Sequence, residues 1–469
     1  MTQAAKRALT TLLAALILTP AAGCAETGSV SEEETEFVPS WESPDYSDFE
    51  MPGETDSLVI YTQGFESMFL TEAVAVFKKT FPDAALEYKI MEQDEYLAKI
   101  RAEIPAGTGP DLMFAMLKDL PDVYKSMSTG LFEDLNPYFG ADPDTDLSDF
   151  NEGVMKGGVM RERRYFAPVM YNLNMLLTTR ENLADSGIGE EDLAVYDGFL
   201  DACAGYKEKN PDNHLFAEGV LLGTDFNYLR ELYDLTDVQM IDYDRERVSL
   251  EEESFRKLMD VTKLWYKKGR PDINEGSEEK LMTDRHCLFS TQMNSSEPGI
   301  FLSMHVVREL GETPLLLAVP NADNGVTAEI LYYAAIPGAA ANRRNAWEFL
   351  KILLSDAVQT GNEQAADAWG VNKFLGLSPR PGSERKRCDL AQKLLPLYNP
   401  RNDPVLVNVT DGDKEMLLGL TARVTDSALL PPVLFSYLKN NMEPYLRKKA
   451  DFEECFGKLM NELELYKDE

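Results

Sequence analysis

The sequence predicts an α/β fold with two lobes, each built on a mostly parallel sheet flanked by helices. Short apolar runs alternate with amphipathic stretches in the order strand, helix, strand, helix, strand between residues 57 and 116. The chain has 469 residues, of which 44% are hydrophobic, and this is more than a single core normally holds. The first 56 residues differ in composition from the rest, so we expect the lobes to begin after them.

The N-terminal 24 residues have the pattern of an export signal. Two basic residues precede an apolar run over residues 8–18, which leads to small residues and Cys24. A basic start, an apolar run and a small-residue cleavage site indicate secretion, and the layout resembles a bacterial lipoprotein signal. We predict that Cys24 becomes the acylated N-terminus and anchors the protein by lipid without a transmembrane helix. The alternative is an ordinary secretory signal that contains a cysteine.

Residues 25–56 carry eleven acidic residues and no Lys or Arg. Such a segment buries too little apolar surface to fold, and its charges repel one another. We therefore predict a disordered, extended acidic tether. Trp41, Tyr46 and Phe49 are either a local adhesive element within this tether or occasional apolar residues of a linker.

Composition excludes several function classes. A net charge of −34 argues against a nucleic-acid partner and against adsorption to anionic lipid, so the lipid would be the membrane contact. The remaining cysteines have no metal-ligand or redox spacing, and we expect buried free thiols in preference to disulfides; they are Cys203, Cys287, Cys388 and Cys455. Only three histidines are present, and no two of them stand at helical spacing, so there is little material for a zinc site or a catalytic triad. We expect no cofactor and no metal.

The first elements after the tether are predicted in detail. They are a strand at 58–61, a helix at 68–80, a strand at 86–91, a helix at 95–103, a turn at 106–111 and a strand at 112–114. This order implies a parallel sheet, and ligands of such sheets bind beyond the carboxyl ends of the strands. The turn lacks the Gly-Lys-Ser/Thr ending of a phosphate loop, so it does not predict a nucleotide site.

These residues resemble a known family. The strand with its polar loop, the helix ending in Lys78-Lys79-Thr80-Phe81-Pro82 and the turn Ala106-Gly107-Thr108-Gly109-Pro110-Asp111 look like lobe one of an extracellular solute-binding protein of the carbohydrate class. Maltose-binding protein belongs to this family. Similar segments follow downstream: crossings between the lobes at 165–178 and 329–336, a signature helix at 342–354 that contains Trp347, and a return to lobe two at 369–373.

The resemblance implies a two-lobed fold like that of periplasmic binding proteins, with interlobe crossings. Lobe one would comprise 57–168 and 333–372, and lobe two 169–332 and 373–469. Two departures concern the ligand. The strand at 286–290 lacks the usual Gly, small, small, Met pattern, and no aromatic residue follows Phe114 directly.

A sugar receptor needs flat aromatic faces together with carboxylates and amides that hydrogen-bond hydroxyl groups. The candidate ligand residues are Gln63, Phe65 and Glu66 after the first strand; Tyr171, Asn172, Tyr332 and Tyr333 at the crossings; Asp225, Phe226, Phe289, Ser290 and Gln292 in lobe two; and Trp369 near the third crossing. For Phe65 and Phe226, packing in a core is an equal alternative. Because side chains alternate along a strand, we expect only one of Tyr332 and Tyr333 to reach the cleft.

By resemblance, we expect a monomeric, membrane-tethered protein that closes on a sugar or oligosaccharide and delivers it to the permease subunits of an ABC importer. The long acidic tether favours the outer face of a Gram-positive-type cell. One alternative is a surface glycan or signalling receptor without import. Another is a secreted glycoside hydrolase, but no Gly-x-Ser-x-Gly elbow or metal-binding histidine helix is present, and we expect no enzyme activity.

Overall fold

The computed structural model describes most of the chain from residue 42 to residue 468. The described residues are 42–53, 55–63, 68–117, 120, 122–217, 239–265, 277–291, 296–361, 376–395, 407–429 and 432–468. The predicted signal, with Cys24, and the first part of the predicted tether lie outside them.

Fourteen strands are described in these residues. They are β1 (Ser57–Gln63), β2 (Ala85–Met91), β3 (Leu112–Met116), β4 (Val159–Met160), β5 (Arg163–Arg164), β6 (Ala167–Leu173), β7 (Met175–Thr179), β8 (His214–Phe216), β9 (Ile241–Asp242), β10 (Arg247–Val248), β11 (Cys287–Thr291), β12 (Pro314–Ala318), β13 (Val326–Ala335) and β14 (Val424–Ala428).

The helices are numbered in the same way over the described residues. They are α1 (Met68–Thr80), α2 (Gln93–Glu103), α3 (Val123–Ser128), α4 (Asn136–Ala141), α5 (Glu152–Met155), α6 (Arg180–Ser186), α7 (Tyr196–Lys209), α8 (Glu252–Trp265), α9 (Glu278–Thr283), α10 (Glu297–Glu309), α11 (Arg343–Leu354), α12 (Asp356–Thr360), α13 (Pro381–Leu394), α14 (Asp411–Thr421), α15 (Pro432–Leu446) and α16 (Phe452–Asp468).

The first sheet contains β1, β2, β3, β6, β13 and β14. Strand β1 lies between β2 and β3, and both pairs are parallel: Thr62 is opposite Ile90 on one side and Phe114 on the other. The chain passes through α1 between β1 and β2 and through α2 between β2 and β3, which confirms the predicted element order. The carboxyl ends of β1 and β3, at Gln63 and Met116, therefore lie at the same edge of the sheet.

Strand β13 connects this sheet to the second one. Its last residues pair antiparallel with β3, with Tyr332 opposite Met116, and its first residues pair in parallel with β14, with Glu329 opposite Ala428. The other flank of β13 pairs with β6. Residues 424–428 thus belong to the first sheet, although they lie within the part of the chain that the sequence assigned to lobe two.

The second sheet has the order β12, β7, β11, β8. Strand β7 continues from β6, and β12 leads to β13. The start of β7 and the end of β12 lie side by side, since Met175 is opposite Ala318, so the connections to the first sheet leave from the same end of the second sheet. The end of β11 is at the same edge, because Thr291 is opposite Leu176. Strand β8 is parallel to β11. Strand β7 is antiparallel to both of its neighbours, β12 and β11.

A third segment accompanies the two crossing strands. The Leu377 N–H donates to the Tyr171 carbonyl at 2.7 Å, and the Tyr171 N–H donates to the Leu377 carbonyl at 3.2 Å. Gly376 has a φ of 98°, and a Cβ at this position would lie 2.9 Å from the Tyr171 carbonyl oxygen. Glycine is therefore required where this segment approaches β6. The predicted third crossing at 369–372 lies outside the described residues.

The last part of the predicted tether contacts the folded body. The Tyr46 hydroxyl donates to Asp134 Oδ2 at 2.5 Å, and the Phe49 ring lies 5.0 Å from the Tyr138 ring. The Asn345 side chain donates to the Thr55 carbonyl at 2.7 Å. For Tyr46 and Phe49 the structure therefore favours the adhesive alternative, because each aromatic ring finds a partner on lobe one.

Several predicted details are confirmed. The signature helix α11 ends at Leu354, and Trp347 is fully buried and donates its Nε1 proton to Asp142 Oδ2 at 2.7 Å. The four cysteines after the signal are buried free thiols. In the described part of the chain, helices are too short or too polar to span a bilayer.

Candidate ligand-binding site

In both sheets, the carboxyl ends of parallel strands lie next to the strands that cross between the lobes. In the first sheet, β1 and β3 end at Gln63 and Met116 on the side from which β13 arrives. In the second sheet, β8 and β11 end at the edge where β7 begins. Because loops at the carboxyl ends of parallel strands carry the ligand sites of α/β proteins, this junction is the candidate site.

Several predicted ligand residues cannot be placed. Those outside the described residues are Phe65, Glu66, Asp225, Phe226, Gln292 and Trp369. Gln63 is described: it is the last residue of β1 and is half-buried.

The predicted residues of β6 form part of the crossing itself. Tyr171 and Asn172 are 1% and 2% exposed, and they lie opposite Ile330 and Glu329 of β13. Burial raises the pKa of Tyr171 above its ordinary value, and the nearby Glu384 carboxyl adds to the rise. In this conformation both side chains are covered by protein atoms.

The two tyrosines of β13 have different surroundings, as alternation along a strand requires. Tyr333 is fully buried, and its hydroxyl lies 3.4 Å from that of Tyr96. Tyr332 is half-buried, and its ring stacks on Phe114 with centroids 5.6 Å apart. Of the two, Tyr332 has the more accessible side chain.

The predicted residues of β11 lie inside the second lobe. Phe289 is fully buried and lies between the rings of Phe216 and Phe199, with centroids 5.8 and 6.3 Å away. Ser290 is also buried, and its hydroxyl donates to Glu278 Oε2 at 2.8 Å. Phe289 contributes packing in this conformation, and Ser290 orients a carboxylate of α9.

Among the described residues, a cavity of ≈ 300 Å³ lies at the carboxyl end of β14, beside the first residues of β13. Ala428 and Leu429 line it at that end, together with Thr327 of β13 and Tyr124 of α3. Carboxylate, amide and aromatic side chains complete the lining, among them Asp242, Asp323, Asp426, Asn321 and Tyr196.

The polar groups of this cavity are held in place by local hydrogen bonds. Asn321 donates to Thr327 Oγ1 at 2.7 Å and accepts from the Gly325 N–H at 2.8 Å, which orders the loop before β13. Burial raises the pKa of Asp426, and the charges of Asp323 and Asp242 act in the same direction. The Tyr196 hydroxyl is buried and has no hydrogen-bond partner within the described structure.

A different polar cluster lies beyond β6. The Arg387 guanidinium is fully buried, forms an ion pair with Glu297 at 2.8 Å, and donates to the Gly376 carbonyl at 2.7 Å. Glu384 accepts from the Ser378 N–H at 2.7 Å. Burial raises the pKa of Glu384 well above its ordinary value, and the adjacent Glu297 carboxyl adds to the rise. One guanidinium can balance one of the two carboxylates, so this environment favours the protonated form of Glu384.

The sequence alone identified neither the residues of the cavity nor the buried cluster around Arg387. The cavity residues come from five separate segments between residues 124 and 434, and tertiary contacts such as the pairing of β13 with β14 bring them together. For the buried cluster a local signal existed, since Glu384 and Arg387 are three residues apart on a helix. Glu297 is distant in sequence, so the cluster as a whole was not predictable.

The fold is that of the two-lobed binding proteins. It is similar to the sugar-binding protein MalE from Xanthomonas citri, with a TM-score of 0.62 and 13% identity over 88% of this chain and 97% of that one. It is also similar to the ABC substrate-binding protein Lmo0181 from Listeria monocytogenes in complex with cycloalternan, with a TM-score of 0.53 and 13% identity over 87% and 98% of the two chains.

A family model matches part of the sequence. Residues 72–285 match the model of the bacterial extracellular solute-binding proteins, which confirms the resemblance inferred from the motifs. A search of curated protein sequences finds no significant match. An extracellular solute-binding protein of Alicyclobacillus acidocaldarius shares the fold with a TM-score of 0.54 and 12% identity over 89% of this chain and all of that one. This is a family of binding proteins.

Proposed function

We propose that the protein captures a carbohydrate outside the cell and presents it to an ABC importer. The observation that carries the proposal is the cavity beside β13, whose carboxylates, amide and tyrosines are the groups that recognise a sugar. Carboxylates accept hydrogen bonds from hydroxyl pairs, and a tyrosine offers both a flat face and a hydroxyl. Two proteins with a similar fold, one sugar-binding and one in complex with cycloalternan, support this ligand class.

The ligand would bind between the lobes and favour a closed arrangement. The cavity has contributions from α3, which follows the first sheet, and from the segment 239–255, which packs in the second lobe. A ligand that contacts both sides binds the closed state more tightly than the open one, and so shifts the equilibrium towards closure. The loops after β1, β8 and β11 would supply further contacts.

A thermal-shift screen against mono- and oligosaccharides tests the ligand class. Binding to the folded state adds RT ln(1 + [L]/Kd), about 2.7 kcal/mol at a hundredfold excess over Kd, so a true ligand raises the melting temperature. The shift should fall by about half or more in Asp426→Asn and be retained in Glu253→Gln, a matched change at an exposed residue of α8. A panel of amino acids and peptides that shifts the melting temperature where no sugar does would refute carbohydrate binding.

We further propose that Cys24 carries the lipid anchor and that the acidic segment separates the body from the membrane. Docking of Tyr46 and Phe49 on lobe one would place the start of the free tether near residue 42. In cells, Cys24→Ala should release the protein into the medium or leave an uncleaved precursor. A Cys24→Ala protein that is still processed and still requires detergent for extraction would contradict lipidation.

A further inference from the structure

The hairpin formed by β9 and β10 has its base in lobe two and its tip against lobe one. Met240, Ile241 and Leu250, at its base, belong to the buried core of α7, α8, α15 and α16. Tyr243, in the turn, packs against this core and against the core that includes α3. The hairpin is therefore an arm that reaches from lobe two to lobe one.

An aromatic stack joins the arm to α3. The rings of Tyr243 and Tyr124 are stacked with centroids 3.8 Å apart and an interplanar angle of 21°. Tyr124 belongs to the helix that directly follows β3 of the first sheet. Stacked aromatic pairs contribute beyond the area they bury, and the stack requires both lobes to be in place.

The C-terminal helix adds a second contact to the same helix of lobe one. The Tyr466 hydroxyl of α16 donates to Asp122 Oδ2 at 2.6 Å, while Asp122 Oδ1 caps α3 by accepting from the Lys125 N–H at 3.1 Å. The Lys125 ammonium lies 4.7 Å above the Tyr466 ring. Burial and the hydrogen bond to Asp122 raise the pKa of Tyr466, so its hydroxyl stays protonated and remains a donor.

A third contact joins the turn of the arm to the turn between β4 and β5. The Arg161 N–H donates to Asp244 Oδ1 at 2.6 Å, and its guanidinium donates to Glu246 Oε1 at 3.2 Å. Arg161 and Glu246 both have a positive φ, of 52° each, as is typical of residues in tight turns. The first two contacts share α3 of lobe one, and the third lies in the turn between β4 and β5; on lobe two they involve the arm and α16.

We propose that these contacts form an interlobe latch, which holds the two lobes together in the absence of any ligand. The latch consists of Asp122, Tyr124, Lys125 and Arg161 on lobe one and of Tyr243, Asp244, Glu246 and Tyr466 on lobe two. Tyr243 and Tyr466 do not line the cavity beside β13, so the latch sets the open-to-closed ratio through residues other than the binding groups of lobe two. The inference concerns the ligand-free protein and does not depend on the proposed carbohydrate.

Small-angle scattering of the purified, ligand-free protein tests the latch. Tyr243→Ala removes the stack and should lower the closed-to-open ratio about two- to tenfold, which increases the radius of gyration. Tyr243→Phe is the matched variant, because it keeps the stacked ring and removes only a hydroxyl that lies beside Tyr466; its radius should lie closer to that of the parent than to that of Tyr243→Ala. An N-terminal segment common to all variants contributes equally to each curve.

Tyr466→Phe provides an independent variant, since it removes the hydrogen bond to Asp122 and keeps the ring over Lys125. It should also enlarge the radius, by less than Tyr243→Ala, and circular dichroism should show that each variant remains folded. If Tyr243→Ala and Tyr466→Phe are folded and both scatter like the parent, the contacts are static packing and the latch is refuted. A carbohydrate screen without hits would leave this result unaffected.

Discussion

Carboxylates lie on both sides of the crossing strands, but in different surroundings. Beyond β6, Glu297 and Glu384 are fully buried; Arg387 forms an ion pair with Glu297, and burial raises the pKa of Glu384. Beside β14, Asp426 is half-buried and Asp323 is exposed, and both line an open cavity with tyrosine and amide groups. Buried charge that is balanced within the protein stabilises one conformation, whereas carboxylates that line a cavity remain able to bind a ligand. The comparison separates a structural polar cluster from a binding one.

The largest expected effect is on the structural side. Arg387→Met removes the cation that pairs with Glu297 and the donor to the Gly376 carbonyl, and it leaves a buried carboxylate without its partner. Breaking one side of a buried ion pair typically costs 3–5 kcal/mol, and we expect a loss of about that size in the free energy of unfolding by urea. Lys257→Met, at a half-exposed surface ion pair, is the control and should cost less than about 1 kcal/mol. Equal losses of unfolding free energy in Arg387→Met and Lys257→Met would contradict the structural role of the buried ion pair.

The next effect concerns the third segment at the crossing. Gly376→Ala places a Cβ 2.9 Å from the Tyr171 carbonyl oxygen. The φ of 98° is also unfavourable for alanine, so the variant is strained by both the contact and the backbone conformation. We expect a destabilisation of about 1–3 kcal/mol in the same urea assay. Gly382→Ala is the matched control, because a Cβ there meets nothing within 4 Å. An unchanged midpoint for Gly376→Ala would show that this segment can move away from β6.

A smaller, pH-dependent effect comes from Glu384. Its pKa is raised in the folded state, so between the ordinary glutamate pKa of 4.5 and the folded value the native protein binds a proton that the unfolded chain does not. Stability from this group is fully present below pH 4.5 and falls as the pH rises towards the folded pKa, by at most about 1.4 kcal/mol per pH unit. Urea unfolding across pH 4.5–8 should show Glu384→Gln gaining stability over the parent. Parallel curves would refute the buried proton.

The smallest stability effect is expected at the cavity. Asp426→Asn removes a carboxylate whose charged form is disfavoured by burial and by Asp323 and Asp242. We expect the free energy of unfolding at pH 7 to change by less than about 1 kcal/mol, with any change towards higher stability. A loss comparable to that of Arg387→Met would place Asp426 in the structural group and remove the contrast between the two sides.

The sequence predicts most of the architecture, because the relevant signals are local. The strands and helices from 57 to 116 follow from apolar periodicity, and α11 with its buried Trp347 follows from an amphipathic pattern and a family motif. The adhesive role of Tyr46 and Phe49 could not be decided from sequence, since their partners Asp134 and Tyr138 are almost 90 residues away.

The candidate site was less predictable for the same reason. Tyr171 and Tyr333 were placed correctly on crossing strands, but their burial depends on neighbours from other segments. The cavity requires β14 to pair with the first residues of β13, and β14 lies almost 100 residues after β13 in the chain. Pairings of this kind leave no pattern in a single sequence. The roles of Phe65, Asp225 and Trp369 stay predictions.

Calorimetric titration of the saccharide found by the thermal screen tests the central claim most directly, with the parent, Asp426→Asn and Glu384→Gln compared at one pH. If the cavity binds the ligand, Asp426→Asn loses a hydrogen bond made by a charged acceptor, about 1.5–3 kcal/mol or at least tenfold in Kd. Glu384→Gln should bind like the parent, because its side chain belongs to the buried cluster beyond β6. Unchanged affinity in Asp426→Asn, together with weakened affinity in Glu384→Gln, would contradict the account.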